Sequence, residues 1–467
     1  MTGVALRAAV LPLADELRAA AEESRLLGAY ATDHDLRYVL AARDGAYERT
    51  QAREPGRPAH AHSQQFPMLS WDEREMADDR GVAFDALPDP RAFFIAPGVD
   101  PPAVTANGEG LMHFVVGPVH AGIIEPGRFT FSSGGETVVH LDAQLSFSRR
   151  GCERHLEGSD AVAAAPKVAR ICGSCSAARS FAYARALEAL AGVRLSHEVE
   201  LARVVVAELE RVYNHLADVA ASAAGAGFGP GFARGMALKE KAMRLNATAS
   251  GHRLLFDAIV PGGIGPGVLL EPERVLHEIA LLQEEIDAYL RGLFSTASLV
   301  SRWQRAGVVE ARTAKAFGAA GPAQRASKGT FDVRTAATYG AYDGLAVRAA
   351  GASAGDVFAR CSVKRDEIGE SIRLICTALR RLPTEHAPSV VRLDLPRGEA
   401  VTVVEGPRGA ETVAAHVDGE GRLARFHAIS ASYRNWPIVV KAMDGNIVPD
   451  FPLVNKSFNL CYACADR

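Results

Sequence analysis

Two Cys-x-x-Cys pairs are the strongest chemical feature of the 467-residue sequence. Cys172 and Cys175 form the first pair, and Cys461 and Cys464 form the second pair close to the end of the chain. The short turn inside each pair lets both thiolates face one metal ion, and two pairs together make an all-thiolate site. Such a site favours a soft or borderline metal, which here means zinc, nickel or an iron–sulfur cluster.

A structural zinc site is the ordinary explanation for four cysteines. Zinc ribbons, however, bring their pairs together within roughly 15–20 residues, whereas these pairs lie at opposite ends of a large domain. This layout suits a site in the middle of a core that is assembled late. A disulfide within each pair stays open, although a cytosolic chain disfavours it. The three remaining cysteines are expected to be buried structural thiols: Cys152, Cys361 and Cys376.

Composition narrows the class of protein. Hydrophobic residues make up 48% and charged residues 23% of the chain, which are ordinary values for a globular protein. A formal net charge of -3 gives no basic field for nucleic acid. No run of 18 apolar residues is present, so we expect no membrane span. The N-terminus is expected to form an amphipathic helix rather than a signal peptide, which indicates the cytoplasm.

The elements that must position the cysteines predict an α+β protein with two domains. Residues 1–100 are expected to form a small α+β domain, and residues 96–109, rich in Pro, Gly and Asn, a linker. The second domain, 108–467, opens with strand patterns (HFVVG and TVVHLDAQLSFS) that predict a small antiparallel sheet.

Beyond Cys175 the pattern becomes mainly helical. Apolar residues recur at spacings of three and four after Ser196, which is a predicted N-cap. Further helices are expected around 233–257, 270–295 and 354–382. After Pro383 the stretches SVVRLDLPRG and AVTVVEG predict strands again.

With these motifs together, the sequence resembles the large subunits of [NiFe]-hydrogenases of the formate-hydrogenlyase and energy-converting type. The resemblance rests on ARICGSCSAARSFAYARALE and SFNLCYACADR at the cysteine pairs, on GPVHAGIIEPGRF and RRGCERHLEG before the first pair, and on ELERVYNHLADVA, LPRGE and ASYRNWP between the pairs. FPMLSWDEREMADDRGVAFDALPDPR resembles the subunit of respiratory complex I that packs beside the quinone-site subunit. The similarity extends from about residue 60 to Arg467.

The resemblance implies a nickel–iron centre bound by all four cysteines, with carbon monoxide and cyanide on the iron. Cys175 and Cys464 would bridge the two metals. Heterolytic cleavage of H2 needs a nearby base, and Glu153 in RRGCERHLEG matches the proton-relay glutamate of the family. Arg397 in LPRGE matches the arginine above the iron ligands. The second Pro-Arg-Gly, 407–409, is expected to be a turn.

Other residues have a role by resemblance and an ordinary alternative. His120, in GPVHAG, matches a histidine near the quinone of complex I relatives, although a loop histidine without that role is an equal alternative. Four residues are expected to form an interface between domains or subunits: Trp71, Glu73, Arg74 and Glu75. Four residues of the long helix could line a proton path or simply form a solvated face: Glu208, Glu210, Asn214 and His215.

Three departures separate the sequence from the family pattern. Arg179 stands where the first motif usually has histidine, and Asn459-Leu460 stands where the second usually has Asp-Pro. Arg179 cannot accept a proton as histidine can. Asn459 is expected to hydrogen-bond Arg397 without neutralising it. The third departure is the ending: such chains are commonly processed after this arginine, and the resemblance implies that Arg467 is either a processed end or the end as encoded.

The sequence therefore predicts an enzyme that interconverts H2 with protons and electrons within a larger assembly. The four paired cysteines are committed to the metal, so electrons must pass to a separate iron–sulfur small subunit. The resemblance also implies complex I-like membrane subunits, which would hold the chain at the inner face of the membrane, and a formate dehydrogenase module or ferredoxin-like protein as electron donor. The alternative is a metal-stabilised structural subunit of a complex I-like assembly without H2 turnover.

Overall fold

The computed structural model describes residues 17, 24–96, 98–122, 124–383 and 389–467. Apart from Leu17, the amphipathic helix predicted at the N-terminus lies outside these residues. Within the described ranges the strands are β1 (Arg25–Ala31), β2 (Asp35–Ala42), β3 (Gly45–Ala52), β4 (Ala59–His60), β5 (Phe84–Asp85), β6 (Met112–Val116), β7 (Arg128–Gly134), β8 (Thr137–Gln144), β9 (Ile259–Val260), β10 (Gly263–Ile264), β11 (Gly398–Gly406), β12 (Gly409–Val417) and β13 (Leu423–Ile429).

The helices in the same ranges are α1 (Ser70–Arg80), α2 (Cys152–Leu156), α3 (Ala165–Ala169), α4 (Ser176–Ala191), α5 (His197–Gly225), α6 (Gly229–Ser250), α7 (Pro272–Ser295), α8 (Ala297–Trp303), α9 (Ala311–Ala316), α10 (Gly321–Arg325), α11 (Val333–Ala336), α12 (Val357–Leu379), α13 (Ala431–Ala442), α14 (Phe451–Phe458) and α15 (Ala463–Asp466). Several small sheets beside a mainly helical interior make this an α+β fold, as the sequence predicts.

The N-terminal part is an antiparallel sheet, β1-β2-β3, that is buried on two faces. Leu36 and Tyr38 pack in a small apolar cluster with residues of α1, whereas Tyr30 and Val39 belong to the main core. Because a strand points successive side chains to opposite faces, this sheet contacts the small apolar cluster on one face and the main core on the other. The division into domains at residue 100 stays a prediction.

The segment predicted as an interface contacts the C-terminal half of the chain. Trp71 meets the ring of Tyr433 edge-on, with centroids 5.6 Å apart. Asp72 is paired with Arg434, and Glu75 with Arg467. All of these charged groups are buried, so removing one partner would leave the other desolvated.

Helix α5 is the central element of the interior and packs against α6 and α12. Its N-cap is Ser196, as predicted, and the serine side chain accepts a hydrogen bond from the Val199 amide at 3.4 Å. The predicted apolar positions Leu201, Val205 and Leu216 are fully buried. The opposite side of α5 is buried as well, which is unusual for a helix that carries charges.

Two antiparallel sheets flank the helices, with strand orders β6-β7-β8 and β11-β12-β13. The first contains the predicted HFVVG and TVVHLDAQ strands, and β11 contains AVTVVEG. The strand predicted at SVVRLDLPRG is wrong in the described part, since only Val390 forms an isolated bridge, with Gly263. Val390 and Val391 are half exposed, so no sheet partner buries their apolar surface.

Candidate metal centre

The structure brings all four paired cysteines together. Their sulfur atoms lie within 4.8 Å of one another. Cys172, Cys175 and Cys464 are buried and Cys461 is half-buried. The Sγ atoms of Cys175 and Cys464 are 4.0 Å apart, about twice the length of an S–S bond. In a tetrahedral thiolate site with metal–sulfur bonds of about 2.3 Å, sulfur atoms lie roughly 3.8 Å apart. The spacing therefore fits a metal rather than a disulfide.

The first pair lies where a short turn leads into a helix. Cys172 precedes the 3-10 turn Gly173–Cys175, and α4 begins at Ser176. The amide groups of Ala177 and Ala178 would be unpaired at this helix start, but Glu210 of α5 accepts both, at 2.7 and 3.0 Å. The carboxylate thus fixes the turn that carries Cys175.

The second pair follows the end of α14. Asn459 terminates that helix with a left-handed backbone (φ 51°), a conformation that asparagine tolerates better than most residues. The Cys461 amide then donates to the Ser432 hydroxyl at 3.1 Å, and Cys464 lies in α15. These contacts aim both sulfur atoms towards the first pair.

Arg179 lies one helical turn after Cys175 and on the same face of α4. It is fully buried. Its Nε donates to Glu411 at 2.6 Å, and its Nη2 donates to the sulfur of Cys464 at 3.5 Å. Its Nη1 has no hydrogen-bond partner among the described residues. A buried cationic donor without a partner beside four sulfurs leaves one position suited to an anionic ligand.

The thiols and their cations influence one another's protonation. Hydrogen bonds from Cys172 and Cys175, and then the charge of Arg179, lower the pKa of Cys464 to about 7. Burial raises the pKa of Glu411 to about 7, and the charge of Arg179 limits that rise. Hydrogen bonds with Cys461 and Cys464, together with burial, raise the pKa of Cys172 and Cys175 instead, so the second pair is the one that ionises more readily.

The predicted placement of Arg397 at the cysteine group is corrected by the structure. Arg397 is exposed and precedes β11 at the surface. The arginine beside the cysteines is Arg408, in the second Pro-Arg-Gly. That tripeptide is indeed in a turn, because Gly406 pairs with Gly409 in the β11–β12 hairpin, and the hairpin end is buried.

Arg408 is almost completely buried and has three acceptors. Its Nε donates to the backbone oxygen of Asn459, its Nη1 to Asn214 at 3.0 Å, and its Nη2 to Asp218 at 3.4 Å. Burial opposes the charge, but Cys461, Asp218 and the first cysteine pair outweigh it and raise the pKa of Arg408. Arg408 therefore remains charged against the thiolates.

The expected hydrogen bond between Asn459 and Arg397 is wrong. The Asn459 side chain donates instead to Asp218, while its carbonyl accepts from Arg408. Asp218 comes from α5 and is not among the residues predicted for the site. It supplies a carboxylate at this position even though residue 459 has none.

Glu153 lies in a separate buried ion cluster. Its oxygens accept from His427 at 2.9 Å and from the Ala428 amide at 3.0 Å, and Arg467 is 3.4 Å away. Burial alone would raise its pKa, but His427, Arg467 and Arg425 together lower it. This direction is opposite to the rise towards neutrality on which the predicted relay depends.

Glu210 has the property that a proton relay requires. It is completely buried, and burial raises its pKa to about 7 although two backbone amides stabilise its charge. It lies between α5 and the start of α4, next to the turn of the first cysteine pair. A carboxyl group with this pKa can exchange a proton near neutral pH.

The polar residues predicted on the long helix are buried, so a solvated face is excluded for them. Glu208, Asn214 and His215 are at most 2% exposed. Glu208 pairs with Arg334 at 3.2 Å, and His215 hydrogen-bonds Glu367 at 2.7 Å. Glu208 and His215 belong to an internal ion network that joins α5 to α12, whereas Asn214 accepts from Arg408 and donates to the Ser174 carbonyl. Cys361 is also buried, as predicted, whereas Cys152 and Cys376 are half-buried.

The loop of His120 approaches the second cysteine pair from the surface. His120 hydrogen-bonds the Gly127 carbonyl at 2.7 Å, and a Cβ at Gly127 would lie 2.6 Å from the Tyr462 ring. Glu125, in the same loop, accepts from the Ala463 backbone, and burial together with the charge of Cys464 raises its pKa. This loop therefore packs against Tyr462 and Ala463, the two residues inside the second Cys-x-x-Cys.

Sequence reasoning missed three contacts around the cysteines: Asp218, Lys364 and Glu411. One signal was available, since Asp218 follows Asn214 by four residues and both therefore face the same side of α5. Lys364 and Glu411 carry no local signal, because each reaches the site only through the tertiary fold.

The chain matches the family described as "Respiratory-chain NADH dehydrogenase, 49 Kd subunit" over residues 226–393 and 389–467. Among curated proteins, it is 26% identical to formate hydrogenlyase subunit 5 of Escherichia coli, over 96% of this chain and 83% of that protein. It is 29% identical to the carbon monoxide-induced hydrogenase of Rhodospirillum rubrum, over 75% and 98%.

A relative that is not named as a hydrogenase is similar to the same extent. An NADH-quinone oxidoreductase chain of Roseiflexus is 28% identical over 75% of this chain and 97% of its own. Among the helices in the described ranges, none has the length and apolar character needed to cross a membrane. With more than half of its length matched, the chain belongs to the 49 Kd subunit family of the respiratory-chain NADH dehydrogenase, which includes relatives named as hydrogenases.

Proposed function

We propose that the chain is the catalytic large subunit of a [NiFe] hydrogenase that interconverts H2 with protons and electrons. The observation that carries the proposal is a group of four sulfur atoms within 4.8 Å, flanked by two buried arginines. Arg179 offers an unpartnered Nη1 there. The donor set fits a nickel–iron centre with anionic ligands, because thiolates suit soft metals and guanidinium groups suit bound anions.

The four cysteines would hold the metals, and the sulfur atoms of Cys175 and Cys464, one from each pair, are 4.0 Å apart. When bound, the centre supplies the heterolytic cleavage of H2. Arg408 would hold the anionic ligand set through its permanent charge. Glu210 can hold a proton on its carboxylate oxygens near neutral pH. Glu153, the glutamate that the family resemblance implies, stays the second candidate for proton transfer, although its neighbours lower its pKa and its oxygens already accept from His427 and the Ala428 amide.

The electrons would leave to a separate iron–sulfur subunit. Support comes from four exposed apolar residues on β6 and the loop that follows it, beside the loop that contacts the second cysteine pair: Met112, Val115, Val119 and Ile124, which are 46–72% exposed. Met112 and Val115 lie on opposite faces of β6, so the four residues are separate candidate contact points for a partner and not one continuous patch. Relatives include a protein named membrane-bound hydrogenase subunit alpha, from Pyrococcus furiosus. We therefore propose membrane-embedded partner subunits and a peripheral place at the inner face of the membrane, with a formate dehydrogenase module or ferredoxin-like protein as donor.

An infrared spectrum tests the proposal. The complex would be purified anaerobically with its partners and measured in the region of metal-bound carbon monoxide and cyanide stretches, together with its nickel content. We expect bands and nickel in the wild-type protein and neither in Cys461→Ser. Cys376→Ser is the matched control, because that half-buried thiol stands apart from the group. An intact complex that contains no nickel and shows no infrared bands in this region would refute the proposed hydrogenase function.

The second candidate is a hydrogenase-like structural or redox-coupling subunit without H2 turnover. Two observations favour it: Arg179 cannot accept a proton, and Asn459 is neutral. Zinc in place of nickel, with no exchange of H2 against D2O, would support this candidate over the first.

A further inference from the structure

Asp218 and Lys364 form a buried ion pair to which the proposed chemistry gives no role beyond the contact of Asp218 with Arg408. Asp218 lies on α5 and Lys364 on α12, and the Nζ and Oδ2 atoms are 2.7 Å apart. Asp218 is fully buried and Lys364 is 2% exposed. Two hydrophobic residues could fill this space without the desolvation that a buried pair requires. Stability alone therefore does not explain why this position holds a buried ion pair.

Both partners reach from the pair to the residues that position the cysteines. Lys364 donates to the carbonyl oxygens of Ser457 and Phe458, at 2.9 and 3.4 Å. These are the last carbonyls of α14, which lack helical partners and would otherwise be unpaired. Because Cys461 follows three residues after Phe458, the ammonium group fixes the segment that delivers the second cysteine pair.

Asp218 acts in the same way on the other side. Its Oδ1 faces Arg408 at 3.4 Å and also accepts from the Asn459 side chain. One carboxylate thus touches both the arginine beside the thiolates and the residue two positions before Cys461. Three elements that meet at the cysteine group (the end of α14, the β11–β12 turn and α5) are joined through this one ion pair.

We propose that Asp218 and Lys364 are a positioning pair that sets Arg408 and the second cysteine pair at the metal centre. This inference rests on the proposed function only for the identity of the metal. Neither residue touches the sulfur atoms; both act through Arg408, Asn459 and the α14 carbonyls.

The test uses a double variant, because a single substitution would leave one buried charge unpaired and could unfold the chain. Asp218→Asn with Lys364→Met removes the pair as a unit. The matched control is Glu188→Gln with Arg203→Met, which removes another buried ion pair between helices. The Nη2 atom of Arg203 and the Oε1 atom of Glu188 are 2.5 Å apart, and neither residue belongs to the cysteine group. Both double variants should remain folded, with similar thermal unfolding midpoints.

Two readouts are then compared: the infrared bands of the mature complex and the affinity of the metal-free full chain for Co2+, followed by thiolate-to-cobalt absorption. In Asp218→Asn/Lys364→Met we expect displaced bands and a Kd for Co2+ raised about tenfold or more, the usual effect of losing groups that orient metal ligands. The control should keep wild-type values.

Wild-type bands and affinity in the Asp218/Lys364 variant would overturn the inference, and so would equal losses in the control. A wild-type complex without infrared bands would refute the proposed hydrogenase function but not the positioning role of the ion pair. In that case the Co2+ measurement decides the positioning role, since it needs four thiolates and no maturation.

Discussion

Replacing Arg408 by lysine keeps the positive charge beside the cysteines and removes the planar fork. The guanidinium has three acceptors, on Asn459, Asn214 and Asp218, and an ammonium group in its place can keep about one of them. Losing two hydrogen bonds from a charged donor, at about 1.5–3 kcal/mol each, should lower the free energy of unfolding by about 3–6 kcal/mol. The thermal unfolding midpoint should therefore fall by about 3–6 °C in a chain of this size.

The same substitution should lower H2 turnover by about 10²-fold, because a displaced donor no longer meets the charge at the centre. Turnover would be measured as H2–D2O exchange by the purified complex. The matched control is Arg397→Lys, since Arg397 is exposed and should change stability by less than about 0.5 kcal/mol. Wild-type turnover in Arg408→Lys, or an equal loss in Arg397→Lys, would refute the assignment of Arg408 to the centre.

Three further predictions concern the buried charges. Arg179→Met leaves the buried Glu411 carboxylate without its counterion, and should lower the free energy of unfolding, measured by chemical denaturation, by about 3–5 kcal/mol. A decrease below about 1 kcal/mol would contradict this. Burial first, and then the charge of Arg37, lowers the pKa of His416 to about 4, so the unfolded chain binds the proton first on acidification. Stability should be full above about pH 6.5 and fall by up to about 3 kcal/mol towards pH 4, and His416→Gln should flatten this slope. Burial raises the pKa of Glu210 to about 7, so the folded state keeps a proton that the unfolded state loses, and stability should fall as the pH rises from about 4.5 to 7. Glu210→Gln should remove that slope and slow H2–D2O exchange; unchanged exchange would exclude Glu210 as a proton carrier.

Features set by local chemistry could be predicted from the sequence. The N-cap at Ser196 depends on one side chain and an amide three residues later, and the structure confirms it. The grouping of the cysteines followed from two short turns and a family resemblance. The α+β class followed from the change of period between alternating and helical segments.

Features set by distant partners could not be predicted in this way. Arg397 and Arg408 lie in two copies of one tripeptide, Pro-Arg-Gly, and only the tertiary fold buries Arg408 while it leaves Arg397 at the surface. Likewise, Glu208 could equally have faced solvent, because its cationic partner Arg334 is 126 residues away. A charged residue on a helix is ambiguous until its counterion is placed.

The distance along the chain between the two cysteine pairs has a kinetic consequence. Cys175 and Cys464 are 289 residues apart, and closing such a loop costs about 5 kcal/mol of chain entropy. A folding transition state that contains this contact is slow to form. A metal can enter most easily before this loop closes during folding, since the finished site is buried. A metal bound to both pairs then acts as a cross-link across most of the chain, so its removal should accelerate unfolding as well as abolish the centre.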